Sequence, residues 1–354
     1  MNLLKSSIVF IVLTLLVSGI SCTKDEDKSV KGAFSNGLFI VNEGAFQTGT
    51  GTITYFDPDS SLVKQDIFEL INGRPLGNIA QSLTLYNGKG YIVINNAAKV
   101  EVVDAATFKS TGTITGLQYP SQFLPINSQK AYVSDWSGSI AVIDLQSNTV
   151  LSNIAAGTGP DAMVKSGNYV YVANTGGFNV DSTITVIDFT TDKVVKTIEV
   201  GDVPIGIKAD NQGRIWVLCK GRGYASWPAP GDTPGRLVRI DPVTLEISLT
   251  FLFINTTDHP ERLVINKQKT RLYFLYNSGI YYFDLTKAFP APELLTPTRY
   301  FYSLGYENKT GYLYACDAKD FSHDGIVIRY NAENGSVVDS IQSGIVPREF
   351  AFTE

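Results

Sequence analysis

The chain is 354 residues long, 18% charged and 11% aromatic, with a formal net charge of −5, 2 histidines and 3 cysteines. No Lys/Arg block stands out, which removes the electrostatic footprint that nucleic-acid binding requires. Neither His259 nor His323 has a partner at metal-ligand spacing, so the sequence offers no His-based metal centre and no ready Ser-His-Asp triad.

The first predicted element is a secretion signal over 1–21. Lys5 supplies its positive start, and Ile8 to Val17 is an apolar core too short to span a bilayer. Ser18-Gly19-Ile20-Ser21-Cys22 resembles a bacterial lipobox, with Gly19 where Leu is usual, so Cys22 is expected to carry lipid. Residues 22–35 read as a polar tether that opens with Thr23-Lys24-Asp25-Glu26-Asp27-Lys28. An acidic cluster directly behind a lipidated Cys resembles the surface-export signal of Bacteroidetes lipoproteins. The expected location is the outer membrane, exposed on the cell surface and held by the lipid anchor alone. The alternative is an inward-facing periplasmic lipoprotein whose tether merely happens to be acidic.

From Gly37 the chain repeats itself. Short apolar strands end at Asp57, Asp104, Asp144, Asp188, Asp241 and Asp284, and a seventh ends at Asn331. Subtracting these numbers gives steps of 47, 40, 44, 53, 43 and 47 residues. Strand-built repeats of this length predict a β-propeller. Each unit opens with a turn, often carrying Pro, as at Tyr119-Pro120, Gly159-Pro160 and Val203-Pro204. A first strand, a Gly/Asn hairpin and a Tyr- and Val-rich second strand follow, then the Asp-ended strand and a last edge strand. The recurrent Asp is expected to bond backbone N–H two residues on and start the next turn, rather than to act as an acid.

The two ends of the chain complement each other. Gly37 to Asn42 matches a second strand with no first strand before it. Val346 to Phe352 matches a first strand with nothing after it. The predicted fold is therefore all-β: a seven-bladed propeller of four-stranded blades over 36–354, its first blade closed by the C-terminal strand. Cys219 and Cys316 fall in second strands of blades that are not neighbours, which predicts two buried thiols and no disulfide. His259, just before Pro260, reads as a surface loop residue.

In a propeller, the loops before first strands and after second strands share one face around the channel. After second strands stand Asn42, Glu43, Asn95, Asp135, Trp136, Asn174, Phe178, Arg222, Tyr224, Tyr276 and Asp317. Around the starts of first strands stand Gln81, Gln122, Asp161, Arg262, Tyr302 and Arg348. The fifth repeat is overlong, and its extra loop, 221–235, also carries Trp227 and three prolines. Amides, acids, Arg and aromatics together suit a large, flat ligand with polar edges, or a protein partner. A channel Ca²⁺ held by Glu43, Asn95, Asn174 and Asp317 is the alternative, and it implies a lactonase- or lyase-type enzyme.

The opening Gly37-Leu38-Phe39-Ile40-Val41-Asn42-Glu43-Gly44, with the recurring Tyr-Val-x-Asn and Ile-x-Val-Ile-Asp strands, resembles the YncE-like surface propellers of Bacteroidetes. Within that group, BtuG-type lipoproteins capture cobalamin and pass it to a TonB-dependent outer-membrane transporter. The resemblance implies a non-enzymatic corrinoid-binding role, with cobalamin as ligand rather than cofactor and such a transporter as partner. A protein- or glycan-interaction module of another uptake complex is the alternative.

Overall fold

The structure is a computed structural model that describes residues 32–46, 49–223, 231–257 and 259–353. Seven antiparallel sheets of four strands make up the fold. The first sheet pairs Pro347–Phe352 with Leu38–Asn42, followed by Thr52–Asp57 and Leu62–Lys64. The C-terminal strand is thus the innermost strand of the first blade. Thr353 Oγ1 locks the seam by donating to the Gly37 carbonyl at 2.8 Å.

Middle strands read as continuous apolar runs because neighbouring blades cover both of their faces. Leu38–Asn42 is buried at every position, and Thr183–Asp188 at its four central ones. The outermost strands, such as Lys193–Glu199, face solvent along most of their length. Seven apolar clusters result, one at each blade-to-blade interface, including the last between the seventh blade and the first.

Every blade places one large aromatic at the same register. Phe39, Tyr91, Tyr132, Tyr171, Trp216, Tyr273 and Tyr314 are all essentially buried. Each pairs across its sheet with the residue two before the turn Asp or Asn: Tyr55, Val102, Val142, Val186, Arg239, Tyr282 and Arg329.

The turn residue acts as its position predicts. The side-chain oxygens of Asp57, Asp144, Asp188, Asp241, Asp284 and Asn331 accept the N–H two residues on, at 2.8–3.0 Å. Asp104 reaches one residue further, to Thr107 N at 2.8 Å.

One helix, Ile67–Asn72, lies between the first and second blades, where the sequence pattern showed none. At 6 residues it is too short for a 3.6-residue period to be visible. It buries Ile67 and Phe68, is capped by Asp66 and ends at Gly73 in the left-handed conformation. Cys219 and Cys316 are buried free thiols. His259 is half-buried rather than a surface residue, its Nδ1 2.9 Å from the Lys220 carbonyl oxygen.

Candidate functional site

Two kinds of loop share the top face: those from second to third strands, and those from a fourth strand to the next first strand. One backbone device clamps them. The residue before a first strand turns left-handed at Ile79 (φ 58), Gly159 (φ 58), Val203 (φ 55) and Val346 (φ 55). Its carbonyl then accepts the N–H just past the second strand of the same blade, from Asn95, Thr175, Lys220 and Glu43, at 2.8–2.9 Å. Glycine adopts this conformation freely, whereas a β-branched residue there costs on the order of 1–3 kcal/mol. Three blades accept that strain, so the loop geometry is strongly imposed.

The amides at second-strand ends build the wall beneath these loops. Asn42 Nδ2 donates to Thr52 Oγ1 and Thr54 Oγ1 at 3.1 and 3.0 Å. Asn174 repeats the arrangement on Thr183 and Thr185 at 2.9 and 3.0 Å. Asn95 donates to the Pro120 carbonyl at 3.0 Å. Asp135 accepts from the N–H groups of Gln118, Tyr119 and Ser137. Asp317 accepts from Lys319 N at 2.9 Å and pairs with Arg299 at 2.8 Å. Gln81 is buried, and Tyr276 packs against Phe253 at 4.9 Å between centroids.

At the channel mouth the structure assembles a polar network from distant parts of the chain. Glu43 pairs with Arg348 and accepts the Tyr302 hydroxyl at 3.0 Å. Arg262 Nε donates to the Tyr302 carbonyl at 2.7 Å, and its guanidinium lies 5.0 Å from the Tyr302 ring centroid. Phe321 meets the same ring edge-on at 5.4 Å. Asp161 accepts from Ser121 Oγ at 2.7 Å, and Gln122 Nε2 donates to Glu349 at 3.0 Å. Burial pushes the Tyr302 hydroxyl up from its ordinary value. Burial opposes the Arg348 charge too, but Glu43 and the other anions around it outweigh that and hold the guanidinium firmly protonated.

Beside this network a cleft of about 400 Å³ opens between the fourth, fifth and sixth blades. Asp161, Lys220, Arg222, Glu261, Arg262 and Arg348 line it, together with the backbone of Gly177 and Gly221. Lys220 pairs with Glu261 at 2.6 Å, and Arg222 reaches Asp202 at 3.5 Å. Three of the four lining cations, Lys220, Arg222 and Arg348, are thus paired with carboxylates. Next to it, Phe178 is 74% exposed and sits edge-on to both Trp136 and Tyr119, at 5.6 and 5.5 Å. Phe46, Tyr300 and Phe321 are further exposed rings on top-face loops.

The sequence from 36 to 345 matches the family described as Domain of unknown function (DUF5074). The chain belongs to the DUF5074 family. No curated protein matches it. Among solved structures it is similar to a quinonprotein alcohol dehydrogenase-like protein from Bacteroides thetaiotaomicron, with 18% identity and a TM-score of 0.67, over 91% of this chain and 79% of that one. It is also similar to a periplasmic gluconolactonase from Pseudomonas aeruginosa, with 11% identity and a TM-score of 0.64, over 89% and 99%. A third is the hydrazine synthase of Kuenenia stuttgartiensis, with 17% identity and a TM-score of 0.62, over 76% and 88%. Likeness at such identities establishes the propeller fold and nothing further.

In the DUF5074 chain, then, the predicted ring of side chains divides in two. Glu43, Asp161, Arg222, Arg262, Tyr302 and Arg348 converge on the mouth, with Gln122 just below and Trp136 and Phe178 at the rim. Asn42 and Asn174 are fastened within their own blades, Asn95 reaches the first strand of the next blade, Gln81 is buried, and Asp135, Tyr276 and Asp317 hold other local contacts, so the four residues offered for Ca²⁺ serve separate contacts. Among the described residues no group of three or more His, Cys, Asp or Glu side chains is placed to hold a metal ion. Cys22, Tyr224 and Trp227 lie outside the described residues. Lys220 and Glu261, top-face residues that face each other across two blades, complete the mouth, whereas sequence reasoning passed over Lys208, which lines the channel below. The signal for Lys208 was present: a lysine in an innermost strand, Pro204-Ile205-Gly206-Ile207-Lys208, among otherwise apolar neighbours.

Proposed function

We infer that this protein is a non-enzymatic binding protein that holds a ligand at the top-face mouth of its channel. The observation that carries this reading is the cleft itself, with paired cations and anions on one side and exposed aromatic rings on the other. Compensated charges favour a ligand that offers both donors and acceptors over one with a large net charge. Exposed, edge-packed rings give a flat ligand apolar area without new ordering cost.

A corrinoid has that chemistry, with a flat macrocycle edged by amides. The resemblance of the Gly37 to Gly44 opening to cobalamin-capturing surface propellers supports the same choice. At about 400 Å³ the cleft is at the small end for ligand sites, so a corrinoid would lie across the aromatic rim with one edge in the cleft. In this reading lipid on Cys22 tethers the propeller to the outer-membrane surface, and a TonB-dependent transporter receives the ligand.

Calorimetric titration with cyanocobalamin tests it. Micromolar or tighter binding is expected, weakened at least about ten-fold, or 1.4 kcal/mol, by Trp136→Ala and by Tyr224→Ala. No heat at micromolar ligand removes the corrinoid. Recovery of a transporter in pull-downs with no corrinoid dependence favours an interaction module instead. Turnover of gluconolactone by the purified protein replaces binding with catalysis.

A further inference from the structure

Below the mouth the channel holds a second compartment of about 360 Å³, bounded by the innermost strands of six blades. Part of its wall is apolar, from Met163, Ile207, Leu263, Leu304 and Phe350. Six ionisable side chains share that wall, among them Lys208 in Pro204–Ala209 and Glu349 in Pro347–Phe352, from opposite sides of the ring. Glu349 is held by the Gln122 amide at 3.0 Å.

Lys208 is the anomaly. Its register partner is Trp216, so it occupies the position that Thr84, Leu124, Val164, Val264, Gly305 and Ala351 occupy in the other blades. It is the one charged residue in that ring. Its amine has no hydrogen-bond or ion-pair partner among the described residues, and Glu349 acts on it only through its field. The other cations of the cavity are engaged, Arg348 by Glu43 and Arg262 by the Tyr302 carbonyl. Asp161 takes the Ser121 hydroxyl, and Tyr306 is the remaining ionisable group on the wall. A half-buried lysine on a cavity wall, with no partner of its own, leaves its amine open to an incoming anion.

We propose that this compartment is a binding site for a small monocarboxylate with an apolar body, its carboxylate on the Lys208 amine and its body against Leu263, Leu304 and Phe350. A lone ammonium is a compact point charge that suits one carboxylate. Phosphate-sized dianions are usually gripped by bidentate arginines or by nests of backbone N–H groups, and the two arginines on this wall, Arg262 and Arg348, are already engaged by the Tyr302 carbonyl and by Glu43. The volume lies at the low end of small-molecule sites. Burial lowers the proton affinity of Lys208 and raises that of Glu349, so an incoming carboxylate restores the charge that favours protonated Lys208. Affinity therefore falls as pH rises. The compartment meets the mouth cleft at Asp161, Arg262 and Arg348 but does not depend on what binds there.

The test is parallel calorimetric titration of the purified protein with sodium benzoate and with benzamide, which share a ring and differ in charge. Benzoate is expected to bind at least ten-fold more tightly, and Lys208→Met, which keeps an apolar stem, is expected to abolish the preference while the thermal melt stays cooperative. Equal affinities, no saturable benzoate binding up to about 10 mM, or an unchanged preference in Lys208→Met overturns the proposal. Should Lys208→Met fail to fold, the unmodified protein still decides the matter. Benzoate, and not benzamide, must slow reductive methylation of Lys208 read by peptide mass spectrometry, and equal rates refute the site.

Discussion

The aspartate at each turn shows how one side chain serves fold rather than chemistry. Asp57, Asp104, Asp188 and Asp284 are held below the usual carboxylate range chiefly by side-chain hydroxyls, and Asp144 and Asp241 chiefly by backbone N–H groups. A carboxyl whose folded value is depressed stabilises the fold above its unfolded value, near about 4, and loses that contribution as pH falls through the folded value. The melting temperature should thus be flat from neutral pH to about 5 and fall steeply below about 4. Asp66, raised by burial, acts in the opposite sense. Asn331 shows that the turn needs an acceptor rather than a charge. Asp104→Asn should therefore leave the urea midpoint nearly unchanged, while Asp104→Ala lowers it. At the mouth, Glu43→Gln leaves Arg348 without its carboxylate in a largely buried setting, where both side chains are under 15% exposed. Loss of about 3 kcal/mol in urea unfolding is expected, and a loss below about 0.5 kcal/mol would mean that channel water screens the pair.

At the scale of the element, the aromatic of the second strand repeats as strictly as the turn residue. Its hydroxyl, however, is served differently from blade to blade. Tyr314 donates to Glu307 at 2.9 Å, whereas the Tyr171 hydroxyl is buried with no hydrogen-bond partner among the described residues. Tyr314→Phe should cost about 1.5 kcal/mol and Tyr171→Phe less than about 0.5 kcal/mol, compared by equilibrium unfolding. The C-terminal strand carries more than its length suggests. Truncation after Ile345 strips the first blade of Pro347–Phe352 and exposes the edge of Leu38–Asn42. The expected outcome is loss of a cooperative melt together with association on size exclusion. The sequence made this closure readable, because an unpaired half-repeat stood at each end. It left the helix Ile67–Asn72 unread, because its stop and start signals, Asp66 and Gly73, frame fewer than two turns.

For the whole molecule, seven interface clusters of similar make-up close into a ring around an irregular channel. Among the described residues five exposed rings, Phe46, Tyr119, Phe178, Tyr300 and Phe321, lie on top-face loops, and Phe289 lies on the opposite side. If Cys22 tethers this ring to a membrane, Cys22→Ala should abolish incorporation of an alkyne-tagged fatty acid and release the protein from the membrane fraction. Retention of the label in that variant would remove the anchor.

Blade number, the turn acid, buried cysteines and the closing strand were all determined by the sequence, since each rests on local propensity, turn chemistry or a repeat period. What the top-face residues do was decided by tertiary structure. Asn42 and Asn174 looked like ligand amides and proved to be fastened to paired threonines one strand away. Glu43 meets Tyr302, 259 positions distant, and Arg348, 305 positions distant. Lys208 and Glu349 share a cavity from opposite sides of the ring. Such meetings occur where seven innermost strands converge on one axis, and no local pattern records which side chains a closed ring brings face to face.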